Sequence, residues 1–196
     1  EAARAGEWEA RTGYAGASIA GARVAVVGLG AIGARAATLF GALGADVVTW
    51  SRTARERADE SGTCEPDLAT ALAGAEVVSI HVALTPETRG FFGSALLGRL
   101  AKGATVVNTA RPGLVDRQAL LAALESGQVS KYAVDGFEPE PPARDDPLLV
   151  HPNVIVTPHV AALTREAFAN LCLATVEGTL SVLAGGQPGG GARVVP

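Results

Sequence analysis

The chain has 196 residues, enough for one complete domain with little left for a second. Its 16 Lys and Arg against 20 Asp and Glu leave a formal net charge of −4, which argues against a nucleic-acid partner. With 48% hydrophobic and 18% charged residues the composition is that of a globular protein, and its longest wholly apolar run, residues 24–34, is too short to cross a bilayer. Cys64 and Cys172 lie far apart with no Cys/His cluster, so neither a disulfide framework nor a zinc site is expected, and a cytoplasmic setting is the default. The chain begins at Glu1 and contains no Met. Residues 1–18 resemble neither a signal nor a transit peptide and are expected to be a lead-in from a longer chain.

Arg23–Val27 is rich in Val and ends at a glycine, which predicts a buried parallel strand. A helix follows over 31–43, with Gly44 as its stop. The same alternation predicts strands at 46–50, 77–82, 105–108, 132–135 and 153–157, and helices at 67–73, 94–100 and 115–125. A long helix over 165–184 opens with Thr164 as N-cap. Strands alternating with helices specify an α/β fold: a doubly wound parallel sheet, covered on both faces, over residues 19–184. The glycine-rich stretch 185–196 is read as a tail. Ligands of such sheets bind at the carboxyl ends of the strands, where the strand order reverses.

Gly28-Leu29-Gly30-Ala31-Ile32-Gly33 fits G-x-G-x-x-G between a predicted strand and a predicted helix. The first glycine permits the turn, the second lets backbone approach a pyrophosphate, and the third lets helix pack on strand. Gly28, Gly30, Ala31, Ile32 and Gly33 are therefore expected to bind a dinucleotide, with the helix N-terminus facing its phosphates. The position where an NAD site carries a carboxylate is Ser51, followed by Arg52 and Thr53. A hydroxyl and a guanidinium hold a 2′-phosphate that a carboxylate would repel, so NADP(H) is expected in preference to NAD(H).

Three chemistry-bearing residues stand at further strand ends: Arg111, Glu140 and His159. A histidine passes protons near neutral pH, and a carboxylate beside it orients the ring. An arginine grips a carboxylate and polarises a carbonyl. With a hydride carrier, this set suits reduction of a 2-keto acid. Glu138 is a competing carboxylate, His151 reads as a loop residue, and the pairs Glu87 with Arg89 and Arg165 with Glu166 read as solvated surface.

The ordered blocks 26–33, 77–90, 107–111 and 153–159 closely resemble the NAD(P)-dependent D-isomer-specific 2-hydroxyacid dehydrogenases, which include glyoxylate/hydroxypyruvate reductases and phosphoglycerate dehydrogenase. The resemblance implies a Rossmann-like cofactor domain with His159 as acid/base, Glu140 as its partner and Arg111 as the substrate-gripping residue. It implies that Asp135 contacts the nicotinamide end and that His81, Val82, Ala83, Thr88, Thr109, Ala110 and Ala161 contact the cofactor, with Arg111 and His159 bordering it. It also implies a small 2-keto or 2-hydroxy acid substrate, a homodimer, and a separate substrate domain for which this chain shows no segment. The corepressors called C-terminal-binding proteins share the resemblance, so a dinucleotide-sensing scaffold is the alternative. Three positions depart from the family pattern: Ala83 for the usual proline, Pro112 for glycine and Gly136 for a branched apolar residue.

Overall fold

The computed structural model describes residues 3–9, 13, 16–52 and 63–188. In chain order they form β1 (Arg23–Val27), α1 (Ala31–Ala42), β2 (Asp46–Trp50), β3 (Thr63–Cys64), α2 (Leu68–Leu72), β4 (Val77–Ile80), α3 (Ser94–Leu97), β5 (Ala104–Asn108), α4 (Arg117–Glu125), β6 (Val129–Asp135), β7 (Val154–Thr157) and α5 (Arg165–Leu183). The strands make one sheet in the order β3-β2-β1-β4-β5-β6-β7, parallel throughout. The order reverses between β1 and β4, which places a crevice at their carboxyl ends.

β1 is apolar without alternation because both of its faces are buried. Val24 and Val26 pack with Ala37 and Val47 on the α1 face. Ala25 and Val27 join the larger core that includes Leu72, Leu97, Leu120 and Leu124 of α2, α3 and α4. The expected covering of both faces holds for only part of the sheet. One register row on the α1 face runs Val26, Ser79, Val107, Ala133, Ile155. It passes from 0% exposed at Val26 to 58% at Ile155. α5 does not fill that space, since none of its residues is buried.

Several boundaries differ from the sequence reading for local reasons. β4 stops at Ile80, where its partner β1 ends at Val27. α3 stops at Leu97, with Gly98 as C-cap. β6 begins at Val129 because a register shift at Ala104/Thr105 lets it pair earlier. The helix expected from residue 115 is a 3₁₀ turn at Pro112–Leu114 followed by α4, whose N-cap Asp116 accepts from the Ala119 N–H. Asp67 likewise caps α2 from outside it. Thr164 caps α5 as expected, and Gly44 follows α1 at φ +82°.

A candidate dinucleotide groove and proton-transfer pair

The glycine turn leaves β1 with backbone geometry that side chains would obstruct. Gly28 has φ +104°, and a Cβ there would lie 2.5 Å from the carbonyl oxygen of His81. A Cβ on Gly33 would lie 1.8 Å from the Gly28 oxygen, so α1 sits against the turn only because residue 33 is glycine. A Cβ on Gly30, the N-cap of α1, would meet nothing within 4 Å. No side chain caps that helix and its first turn holds no acidic residue. Its N-terminal N–H groups therefore remain available to an anion.

Two adjoining cavities continue from this turn. One, of about 540 Å³, is lined by Gly30, Ala31, Ile32, Gly33, His81, Val82, Ala83, Leu84, Thr109, Ala110 and Arg111. The other, of about 200 Å³, is lined by Gly28, Leu29, Gly30, Trp50, Ser51, Arg52, His81, Val82, Ala83, Thr85 and Thr88. Together they form a groove from Arg52 at the end of β2 to Arg111 after β5. An extended dinucleotide fits these residues: open backbone at the turn, a cation at one end, and small side chains at Ala83 and Ala110 between. Thr53 lies outside the described residues.

His81 is partly buried, its Nε2 lies 2.8 Å from the Ser79 hydroxyl, and burial lowers its pKa from the ordinary 6.5. Thr88 braces the groove wall: its hydroxyl accepts from the Thr85 N–H at 2.7 Å and donates to the Ala83 carbonyl at 2.7 Å. Arg52 is exposed, and its charge adds to the Thr85 hydroxyl and a backbone N–H in lowering the Glu87 carboxyl. Glu87 and Arg89, read as solvated surface, are both exposed, and each engages a different residue. Glu87 accepts from Thr85, and Arg89 pairs with Glu138 at 2.9 Å.

Arg111, Glu140 and His159 follow β5, β6 and β7, three neighbouring strands. Asn108, fully buried at the end of β5, organises the first of these loops. Its Nδ2 donates to the Arg111 carbonyl at 2.8 Å, and its Oδ1 accepts from the N–H groups of Ala110 and Arg111. Sequence patterning gives Asn108 no role of its own, although a polar residue closing an apolar strand is a visible signal. Pro112 leaves Arg111 extended, at φ −148° and ψ 134°, with its side chain exposed.

The Glu140 Oε2 lies 3.3 Å from His159 Nδ1, while its Oε1 accepts from the Phe137 N–H at 2.7 Å. The Phe137 N–H, then His159, hold the Glu140 carboxyl below its ordinary 4.5. Gly136 makes room for it: its φ is +98°, and a Cβ would lie 2.6 Å from Glu140 Oε1. The departure at this position therefore seats the carboxylate.

Asp135 is 6% exposed, and its carboxylate receives the Thr157 hydroxyl at 2.6 Å and the N–H groups of Val160 at 2.8 Å and Ala161 at 2.9 Å. Burial raises its pKa, but these donors and nearby His159 outweigh burial and leave it below 3.8. The bonds grip the turn in which His159 adopts φ +57°. The structure thus directs the Asp135 carboxylate at this turn, where the resemblance implies contact with the nicotinamide end. Ala161 takes part through its backbone and is exposed.

Residues 1–161 match the family model described as D-isomer specific 2-hydroxyacid dehydrogenase, NAD binding domain. The chain belongs to that family. It is 38% identical over 181 residues to D-3-phosphoglycerate dehydrogenase of Archaeoglobus fulgidus, covering 92% of this chain and 34% of that protein. It is 35% identical over 187 residues to glyoxylate reductase of Aeropyrum pernix, covering 92% of this chain and 56% of that one. D-lactate dehydrogenase with NAD+ from Lactobacillus jensenii superposes with a TM-score of 0.82 at 25% identity, covering 97% of this chain and 64% of the other. The chain thus spans between a third and two thirds of the length of these family members.

Proposed function

We propose that this chain is the cofactor-binding part of a dehydrogenase that reduces a small 2-keto acid of glyoxylate or hydroxypyruvate type to the D-2-hydroxy acid. The observation that carries the reading is the Glu140–His159 contact at 3.3 Å, one strand away from Arg111 and the groove it borders with the glycine turn. When bound, the nicotinamide supplies the hydride. Glu140 engages Nδ1 of His159, which leaves Nε2 on a half-exposed ring to hold the proton that the substrate oxygen receives. The exposed Arg111 grips the substrate carboxylate and polarises its carbonyl, held in place by Asn108 behind it.

The cofactor preference within this reading is NADP(H). Ser51 and Arg52 stand where a carboxylate would select the 2′-hydroxyl, and Arg52 is exposed at the mouth of the groove. Separate titrations with NADPH and NADH test this point, with tighter NADPH binding expected and Arg52→Ala removing the difference. Turnover is tested with the full-length protein bearing this chain, against glyoxylate, hydroxypyruvate and larger 2-keto acids. His159→Gln is expected to lower kcat by about 10²–10⁴-fold, the usual range for a general acid, with cofactor affinity unchanged. Failure of every keto acid to oxidise NADPH or NADH would overturn the proposal.

A further inference from the structure

The loop that carries Arg111 and the loop that carries Glu140 must keep a fixed spacing if both are to act on one small substrate. Between them lies a cavity of about 310 Å³, bordered by Arg89, Gly113, Phe137 and Glu138. Arg89 Nη1 reaches across to Glu138 Oε1 at 2.9 Å, joining residues 49 positions apart. The pair lies directly on Gly113. A Cβ there would be 2.6 Å from Glu138 Oε2 and 2.8 Å from Arg89 Nη1.

The two ends of this bridge are anchored. On one side, the Gly90 N–H donates to the Gly113 carbonyl at 2.8 Å, the Phe92 N–H to Leu114 at 3.1 Å and the Asp116 N–H to Phe92 at 3.2 Å. Arg89 therefore moves with the loop that follows Arg111. On the other side, Glu138 follows Phe137, whose N–H holds Glu140 and whose ring lies 5.7 Å below the Arg117 guanidinium. We propose that Arg89 and Glu138 are positioning residues whose ion pair, laid over Gly113, holds the Arg111 loop and the Glu140 loop in register. This rests on the dehydrogenase reading for its consequence in turnover, but the register itself can be read without turnover.

Both side chains are about half exposed, 54% and 50%, and such pairs contribute little to global stability. A positioning role therefore separates from a merely structural one. In the full-length protein, Arg89→Ala and Glu138→Ala are each expected to lower kcat at least tenfold, with melting temperature and cofactor affinity nearly unchanged. The double variant should be no worse than either single one, and the exchange Arg89→Glu with Glu138→Arg should restore part of the loss. Losses that add, or singles within twofold of the parent, would overturn the proposal.

The readout independent of turnover is the Glu140 carboxyl, followed by carbon NMR through an acid titration. Removing the anion at 138 would lower the Glu140 pKa by charge alone. Loosening the loop away from the Phe137 N–H and His159 raises it instead. A rise in Glu138→Ala supports the tie even where the parent turns over no keto acid, the outcome that would sink only the dehydrogenase reading. A fall, or no change, overturns the tie.

Discussion

Asp135 and Glu140 are both acidic, both below their ordinary pKa, and placed for different work. Glu140 is exposed and faces His159, whereas Asp135 is buried and fastens the turn on which His159 stands. In Asp135→Asn one oxygen becomes an NH₂ group, which either opposes the Ala161 N–H or loses the Thr157 and Val160 donors. Losing a hydrogen bond to a charged group costs about 1.5–3 kcal/mol, so the variant should be less stable than the parent by about that amount at neutral pH. The sign of the pH dependence follows from the lowered folded-state pKa: the contribution is complete above the ordinary carboxylate range and is lost as pH falls through the lowered value. Urea melts at pH 7 and at successively lower pH should therefore show parent and variant converging on acidification. A constant gap would mean that the carboxylate charge is not what holds the turn. The strained φ of +57° at His159 depends on the same bonds, so kcat in the full-length protein should fall with the turn's order.

At the scale of elements, the glycine turn joins a folding requirement to a binding requirement, and single substitutions separate them. Gly33→Ala forces a Cβ into the Gly28 carbonyl, so it should dislodge α1 from β1 and lower the melting temperature severely. Gly30→Ala meets only open space inside the protein, so the fold should survive while the methyl group stands where a pyrophosphate must approach. Circular dichroism melts alongside dinucleotide titration distinguish the two, and equal effects on both measurements would refute the division. This turn was legible because its signal is local, with strand, glycines and helix inside about ten residues. β3 was not legible, because two residues paired to β2 carry no periodicity. The Arg89–Glu138 pair was hidden for the opposite reason. Nothing in the pattern around Arg89 points to a partner two strands away, and its nearest acid, Glu87, is engaged by Thr85.

Across the whole molecule, a parallel sheet follows from the alternation of apolar runs with helices, so the fold class could be read in advance. What alternation does not reveal is which half of each face is covered, since that depends on where a helix packs after it forms. Two register rows, one residue apart, make the difference measurable. Ala25, Val78, Val106, Tyr132 and Val154 form a row on the helix-covered face, and Val106 is 0% exposed there. Ile155 belongs to the neighbouring row on the other face and is 58% exposed. Val106→Ala removes two buried methyl groups and leaves a void, so it should cost about 2 kcal/mol. Ile155→Glu adds a charge to an apolar strand and would be severe in a doubly covered sheet. Here it should shift stability by no more than about 0.5 kcal/mol, as surface substitutions do. Removing α5, from Arg165 onward, should likewise leave the chain's melting temperature nearly unchanged, because that helix buries none of its residues. Denaturant unfolding of the three variants decides the matter: a large loss at Ile155 or on removal of α5 would mean that the open half of the sheet is covered within the chain itself.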